Sequence, residues 1–177
     1  MKFSEKRIDG KVIYKGKILT LTVDDVLLSN GKTAKREIVK HSGGAAVLFV
    51  CDNKVLLVRQ FRYAYNREMY EIPAGIINEG ELPQAAAARE LEEETGYKAE
   101  VKHLADIYPS PGYTDEIIHI YFAEKSTKSQ QNLDEGELLN AEFIPLDKVL
   151  SMIESGEIAD AKTVVAIYKY LLIKNDI

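Results

Sequence analysis

Three glutamates on one predicted helix face carry the clearest chemical signal in this sequence. Glu90, Glu93 and Glu94 are related as i, i+3 and i+4 and share one face of an α-helix, whereas Glu92 projects elsewhere. These carboxylates repel one another. They also lie in the last two helical turns, where the helix dipole disfavours negative charge. Arg89 is the one cation nearby in the sequence, so this face carries an electrostatic conflict that calls for an explanation.

The residues alone leave two interpretations of this acidic face open. A run of charges is most often a solvated surface. Alternatively, the face binds Mg²⁺ or Mn²⁺, which are hard ions that take oxygen ligands. No cluster of cysteines or histidines competes for a softer metal. The single cysteine, Cys51, follows an apolar run and predicts a buried thiol, and the three scattered histidines are interpreted as structural or surface residues: His41, His103 and His119.

A wider pattern of fixed spacings surrounds the acidic face. It comprises Gly75, Glu81, Arg89-Glu90-Leu91, Glu93-Glu94, Gly96 and Tyr97. This segment resembles the Nudix box of the Nudix hydrolase family, in which the position of Tyr97 is more often aliphatic. The resemblance extends over most of residues 40–177. It implies an α/β fold, a Nudix-type α/β/α sandwich with a mixed central sheet, preceded here by a small N-terminal antiparallel β subdomain.

The resemblance implies roles for the residues of the box. Glu90 and Glu94 are direct metal ligands, and Glu93 is a ligand or a catalytic group that supports the ligands. The carbonyl oxygen of Ala74 completes the coordination. Arg89 orients the glutamates, and Glu81 does the same or lies outside the site. The implied cofactor is Mg²⁺ or Mn²⁺, as two or three ions.

Two segments after the box bear on the substrate. From the residues alone, Pro111-Gly112 is a turn and the segment from Leu133 to Glu137 is a solvated acidic loop. The first resembles the ADP-ribose pyrophosphatase branch of the family, in which this loop lines the substrate pocket. There Ser110, Pro111 and Gly112 bind the substrate and Glu116 accepts hydrogen bonds from ribose hydroxyls. In the second, the resemblance makes Glu135 the general base and Glu137 a further metal ligand.

The N-terminal region, residues 1–42, is β-rich and precedes a catalytic domain of residues 43–177. Asn30-Gly31 predicts a hairpin turn in it. In the resembling enzymes such a region helps to form a homodimer, and Arg36 and Glu37 contact the adenosine end of the substrate. The resemblance also makes Ile76 a substrate-binding residue and assigns Arg62 to a phosphate, because a planar guanidinium pairs with phosphate oxygens.

The sequence of the main domain predicts a mixture of strands and helices. Pro83 suits a first helical turn and Gly96 a helix end, so residues 83–95 form the clearest helix. Asp52-Asn53 predicts a turn between two strands. The other predicted elements are strands at 45–50, 54–60, 99–107, 117–123 and 139–144, a surface loop at 126–136, and helices at 145–155 and 159–174.

Length and charge limit the possible functions. The 177 residues suffice for one domain with a sizeable core, with or without a small appendage. A formal net charge of −5 argues against broad nucleic-acid binding, which needs a basic face. The charged N-terminus shows no signal peptide and no run is long enough to cross a membrane, so we expect a cytoplasmic protein without membrane or nucleic-acid partners.

The resemblance implies hydrolysis of the pyrophosphate bond of ADP-ribose to AMP and ribose 5-phosphate. The alternatives are another nucleotide sugar such as GDP-mannose, a non-catalytic nucleotide-binding Nudix module, and an acidic interaction domain without a ligand. The non-catalytic module is disfavoured because no glutamate of the box is missing.

Overall fold

The elements of the computed structural model, which describes residues 3–136 and 138–174, follow most of the predicted order. The strands are β1 (Glu5–Lys15), β2 (Leu19–Leu28), β3 (Thr33–His41), β4 (Gly44–Cys51), β5 (Lys54–Arg62), β6 (Arg67–Glu71), β7 (Ala74–Ile76), β8 (Tyr97–Ala99), β9 (Lys102–Ile107), β10 (Ile118–Ala123), β11 (Ser126–Lys128) and β12 (Leu139–Pro145). The helices are α1 (Pro83–Thr95), α2 (Leu146–Glu154) and α3 (Ala161–Lys174), with a short 3-10 helix at Tyr63–Tyr65.

The chain divides into two compact units, one formed by Met1–Gly43 with Tyr108–Ile117 and the other by Gly44–Ile107 with Ile118–Ile177. In the first unit, β1, β2 and β3 form an antiparallel sheet in that order. Gly31 has a φ of 81°, as the predicted hairpin turn requires. The loop Tyr108–Ile117 contacts β3, since Val39 N donates to the Tyr113 carbonyl oxygen at 2.7 Å. The boundary predicted after residue 42 stays a prediction.

The second unit is built on a mixed sheet with the strand order β12-β5-β4-β10-β9. Strand β10 pairs in parallel with β4, and the other pairs along this path are antiparallel. Strand β6 pairs with β5, and β7 pairs with β4. Asp52 and Asn53, with φ values of 49° and 58°, make the predicted turn between β4 and β5. The mixed sheet is thus confirmed.

Both faces of this sheet are covered by helices. Alternate residues of β4 point to opposite faces, so Leu48 contributes to one core cluster with residues of α2 and α3, whereas Val47 and Phe49 contribute to another with residues of α1. Residues 45–50 are all buried, which explains the unbroken apolar run in this central strand. The α/β/α sandwich is therefore confirmed.

Four short strands were absent from the predictions. The strand expected at 99–107 is two strands, β8 and β9, and the loop expected at 126–136 contains β11, which pairs with β8. Strands β6 and β7 were not predicted at all. Each of these strands is short or largely polar. Pairing with a strand that is distant in the sequence stabilises it, so it has no clear local hydrophobic pattern. None of the helices in the described ranges has the length and hydropathy needed to span a lipid bilayer.

Candidate active site

Helix α1 is held in one rotational setting by its apolar side. Pro83 occupies its first turn, and Gly96, with a left-handed φ of 69°, ends it. Ala86, Ala87 and Leu91 are fully buried in the core cluster below the helix. This packing also buries Glu90 and Glu94, whose exposed fractions are only 9% and 3%. The carboxylates are therefore not displayed on a solvated helix face.

Strand β7 meets the helix at Glu94. The backbone N–H of Ala74 donates a hydrogen bond to Glu94 Oε2 at 3.0 Å, and Ala74 itself is paired with Ala46 of the central strand β4. The sheet thereby fixes the backbone segment that touches the glutamate. The structure thus brings together two of the predicted metal-binding residues, which are separated by twenty positions in the sequence.

Gly75 is a glycine because Glu90 occupies the space of a side chain. A Cβ atom built on Gly75 would lie 2.0 Å from Glu90 Oε1 and 2.1 Å from the carboxyl carbon, so the Glu90 carboxylate would have to move to make room for it. The constraint is this close approach and not a left-handed backbone. Gly75 pairs with the fully buried Ala45, so the backbone next to Glu90 belongs to the central sheet.

Arg89 connects the carboxylates of the site. Its Nε and Nη2 donate to the two oxygens of Glu81, each at 2.9 Å, and its Nη1 donates to Glu90 at 2.7 Å and to Glu93 at 2.9 Å. The hydrogen bond to Glu81 is the main cause of a pKa of Arg89 raised above its ordinary value. The same bond is the main cause of a lowered pKa of Glu81. The arrangement agrees with the orienting role predicted for Arg89.

The chemistry of the donor set fits a divalent cation. Arg89 joins the carboxylates of Glu81, Glu90 and Glu93, and Glu94 lies one helical turn after Glu90. Within residues 3–136 and 138–174, no three acidic, histidine or cysteine side chains are already arranged to hold a metal ion. Carboxylate and carbonyl oxygens are the ligands that Mg²⁺ and Mn²⁺ prefer. Buried carboxylates of like charge are stable together only when cations balance them.

Glu92 faces away from this group. It accepts a hydrogen bond from Ser129 Oγ at 2.6 Å and lies 3.7 Å from Lys98 Nζ. Its different surroundings confirm the predicted division of the helix into two faces.

The segment after β11, which leads into the acidic loop, contacts the C-terminal end of helix α1. Gln131 Nε2 donates to the carbonyl oxygen of Glu94 at 2.6 Å, and Asn132 N donates to that of Glu93 at 2.9 Å. These bonds satisfy carbonyl groups left over at the helix end. Glu135 is exposed and precedes Gly136, which has a φ of 89°. Glu137 lies outside the described residues.

The substrate residues predicted in the first unit lie on β3 and on the loop that contacts it. Arg36 pairs with Glu5 through its Nε at 2.9 Å, and Glu37 is exposed. The Ser110 carbonyl oxygen accepts from the N–H groups of Tyr113 and Thr114, so the segment with Pro111 and Gly112 is a turn, as its residues predict. Glu116 Oε1 lies 3.6 Å from His41 Nδ1.

Comparison with protein-family models separates the chain into two matched parts. Residues 40–166 match the NUDIX domain, and residues 5–39 match the nucleoside diphosphate sugar hydrolase N-terminal domain. This chain belongs to the Nudix family. Helix α1 with its flanking loops is therefore the Nudix box, and the mixed sheet is the scaffold of a Nudix domain.

Two relatives are similar to this chain over most of their length. The chain is 46% identical to an ADP-ribose pyrophosphatase of Bacillus subtilis (strain 168), over 96% of this chain and 94% of that protein. It is 44% identical to a methanol dehydrogenase activator of Bacillus methanolicus, over 93% and 91%. A crystal structure of an ADP compounds hydrolase matches with a TM-score of 0.83 at 23% identity, over 97% of this chain and 95% of that one, and shows the same fold.

Nudix hydrolases generally need divalent metal ions, and the carboxylate chemistry of the box agrees with that requirement. The individual roles of Ala74, Glu90, Glu93, Glu94, Glu135 and Glu137 stay predictions. Ile76 has an exposed side chain, and its carbonyl oxygen accepts from Arg89 Nη2 at 3.2 Å. Its backbone is thus tied to the box through Arg89.

Sequence reasoning missed the partner of Arg62. The Arg62 guanidinium binds the Glu71 carboxylate with two parallel hydrogen bonds of 2.6 Å, from Nε and Nη2. The signal was available: in β6, Met69 and Glu71 are two residues apart and both buried, so a glutamate occupies an inward position of an alternating strand. An acid at such a position predicts a buried cationic partner.

Sequence reasoning also missed that His103 and His119 contact the same carboxylate. His103 Nε2 and His119 Nδ1 both lie 2.8 Å from Asp106 Oδ1, although the three residues stand on two strands. A register shift in the pairing of β9 with β10 brings His103 to the same side as Asp106. His41 instead accepts a hydrogen bond from Gly43 N at 3.0 Å through its Nδ1. These contacts agree with the structural or surface roles predicted for the histidines.

Proposed function

We propose that this protein hydrolyses the pyrophosphate bond of ADP-ribose, giving AMP and ribose 5-phosphate. The observation that carries the proposal is the burial of Glu90 and Glu94 against Ala74 and Gly75 in a Nudix chain. Similarity to an ADP-ribose pyrophosphatase over nearly the whole length favours ADP-ribose over other nucleotide sugars.

The proposed cofactor is Mg²⁺ or Mn²⁺, as two or three ions. Glu90, Glu93 and Glu94 would hold them, together with the carbonyl oxygen of Ala74 and with Glu137. When bound, such ions neutralise phosphate charge and lower the pKa of a coordinated water. Arg89 supports this role because it fixes Glu90 and Glu93 by hydrogen bonds while leaving the set strongly acidic.

Glu135 is the proposed general base. Its carboxylate would accept a proton from the attacking water as the water oxygen bonds to phosphorus and the bridging P–O bond breaks. Two features support this assignment. The segment starts from Gln131 and Asn132, which are bonded to the end of the Nudix helix, and Gly136 gives the backbone after Glu135 a left-handed conformation. An exposed side chain on such a loop can approach the bound substrate.

The remaining proposed contacts concern the two ends of the substrate. Arg62 would bind a phosphate, and Glu116 would accept hydrogen bonds from the terminal ribose. Arg36 and Glu37 would contact adenosine, and the other proposed substrate-binding residues are Ile76, Ser110, Pro111 and Gly112. The resemblance to the enzymes of this branch supports these assignments, as does the match of the N-terminal segment to a nucleoside diphosphate sugar hydrolase domain.

A homodimer is the proposed assembly, in the cytoplasm. Strand β1 exposes large apolar side chains, including Ile8, Val12 and Tyr14, each more than half exposed. Apolar surface of this kind in a small sheet favours association. Light scattering behind size-exclusion chromatography tests it. A mass near twice 19.9 kDa supports the dimer, and a mass of one chain at micromolar concentration contradicts it.

The substrate is tested by release of nucleoside monophosphate from a panel comprising ADP-ribose, GDP-mannose, other nucleotide sugars and diadenosine polyphosphates. Each substrate is assayed with Mg²⁺ and with a chelator. The proposal predicts the highest kcat/KM for ADP-ribose and no turnover with the chelator. A higher kcat/KM for GDP-mannose would replace the proposed substrate by the alternative nucleotide sugar. Absence of turnover on every member would favour the non-catalytic module.

A further inference from the structure

A buried ion cluster lies beside the Nudix helix and contains residues from three separate segments of the chain. At its centre is Glu71, which is only 2% exposed. One of its oxygens accepts from Arg62 Nε at 2.6 Å, and the other accepts from Arg62 Nη2 and from Lys162 Nζ. Lys162 is itself 8% exposed and also donates to Asp160 Oδ1 at 3.0 Å.

Such a cluster is expensive to bury unless its charges are matched. Burial by itself raises the pKa of Glu71, but the hydrogen bond from Arg62 and the charges of Lys162 and Arg62 outweigh it, so the pKa lies below its ordinary value. Glu71 is therefore a carboxylate at neutral pH. Its two cations are held in fixed positions around it.

Helix α3 is tied to the strand that leads into the site. Asp160 lies just before this helix and accepts from the N–H of Thr163 at 3.0 Å and from its hydroxyl group at 2.6 Å. The same Thr163 hydroxyl oxygen accepts from Ile72 N at 2.8 Å. Two residues further along, Ala74 N binds Glu94. Hydrogen bonds at Ile72 and at Ala74, joined by the backbone between them, thus connect the start of α3 with the Nudix box.

The geometry of Arg62 leaves one side of its guanidinium for another partner. A guanidinium has five N–H groups in a planar fork, and the Glu71 carboxylate takes one from Nε and one from Nη2. Arg62 is close enough to Glu94 for the charge of that carboxylate to contribute, after the larger effect of the Glu71 bond, to its raised pKa. The Arg62 guanidinium is therefore fixed on one edge by Glu71 and lies within electrostatic range of Glu94 in the Nudix box.

We propose that Glu71 and Lys162 are positioning residues that hold the Arg62 guanidinium in place to receive a phosphate of the substrate, which makes the start of helix α3 part of the active-site support. This inference rests on the proposed function. Lys162 is needed because Glu71 and Asp160 together would otherwise present two carboxylates to one guanidinium. By taking up one oxygen of Glu71 and one of Asp160, Lys162 keeps Arg62 available for the substrate.

The test is a double-mutant cycle with Glu71→Gln, Arg62→Met and the combination of both. The readouts are kcat and KM for ADP-ribose, and the Kd of its α,β-methylene analogue measured by calorimetry in Mg²⁺. Each single variant should raise KM and Kd about tenfold while kcat changes much less, as expected for loss of a charge-assisted bond to phosphate. The double variant should be no worse than Arg62→Met alone, because Glu71 acts through Arg62.

Lys162→Met extends the test to helix α3, with Lys169→Met, an exposed position on the same helix, as the matched control. We expect a weaker Kd for the first and an unchanged Kd for the second. Thermal unfolding is measured for every variant, and Kd values are compared only among variants that are folded at the assay temperature. If Glu71→Gln does not fold, the cycle is run with Lys162→Met in its place.

Losses that multiply in the double variant would overturn the inference, as would an unchanged Kd for Glu71→Gln or for Arg62→Met. Failure of the proposed function gives a different result, namely a wild-type chain that does not hydrolyse ADP-ribose. In that case the cycle is measured with the pyrophosphate substrate that the wild type prefers. Coupling between Glu71 and Arg62 there would support the positioning role independently of ADP-ribose.

Discussion

The Nudix helix and the acidic segment Leu133–Gly136 use the same side chain in opposite surroundings. On the helix, Glu90 and Glu94 are buried, and Gly75 and Ala74 are shaped around them. In the segment, Glu135 is exposed. A rigid site suits groups that must hold ions at fixed distances, whereas a loop suits a group that must approach after the substrate has bound. Burial, more than residue type, therefore separates these two proposed roles.

The largest expected effect comes from a change to a buried carboxylate of the Nudix helix. Glu94→Gln keeps the size of the side chain but removes a charge, and we expect kcat to fall at least about a thousandfold. Glu92→Gln, on the other face of the same helix, is the matched control and should stay within about threefold of the wild type, as surface changes usually do. Steady-state kinetics with saturating Mg²⁺ measures both. Equal effects of the two changes would contradict the assignment of faces.

The exposed Glu135 is tested by Glu135→Gln. Loss of a general base typically lowers kcat by about a hundredfold or more, while binding of the substrate analogue should be retained. Asp134→Asn, one residue earlier, is the control. Parental activity of Glu135→Gln over the whole pH range would assign the base elsewhere.

Gly75→Ala tests the close approach of strand β7 to the Glu90 carboxylate of the Nudix helix. The added methyl group would overlap the Glu90 carboxylate and force it to move. We expect kcat to fall about tenfold or more and the free energy of unfolding to fall by about 1–3 kcal/mol. Urea unfolding and kinetics on the same preparation measure both. A variant with wild-type activity would show that Glu90 does not need its observed position.

The smallest expected effect is a pH dependence of stability from Glu71. Its pKa in the folded state is lowered, chiefly because the hydrogen bond from Arg62 and the charge of Lys162 overcome the effect of burial. The stability it contributes is thus present above the ordinary glutamate pKa of about 4.3 and is lost as the pH falls below it. Unfolding of wild type and Glu71→Gln at pH 7 and at a series of decreasing acid pH values measures this. The two stabilities should converge in acid, and a constant difference would contradict the prediction.

Local signals in the sequence were sufficient for much of this fold. Pro83 and Gly96 delimit the Nudix helix at the observed residues, and Asn30-Gly31 marks the observed turn. Strands β6, β7 and β11 were not predicted, because they contain only three to five residues and depend on pairing partners elsewhere in the chain. The glutamate spacing likewise placed Glu90 and Glu94 together, since both lie on one helix.

Contacts over long sequence distances could not be predicted in this way. Lys162 meets Glu71 across 91 positions, and nothing in the sequence of α3 indicates that partner. The pairing of the loop Tyr108–Ile117 with β3 is of the same kind, because it depends on backbone groups of Val39 and Tyr113 that every residue possesses. Such contacts arise from topology and become visible only in the folded chain.

The central claim is that Glu94, together with Glu90 and the backbone at Ala74, holds divalent metal. It is tested most directly by calorimetric titration of Mn²⁺ into the wild type, Glu94→Gln and Glu92→Gln. The account predicts that wild type and Glu92→Gln bind Mn²⁺ alike and that Glu94→Gln loses most of the affinity. Unchanged binding by folded Glu94→Gln would contradict it.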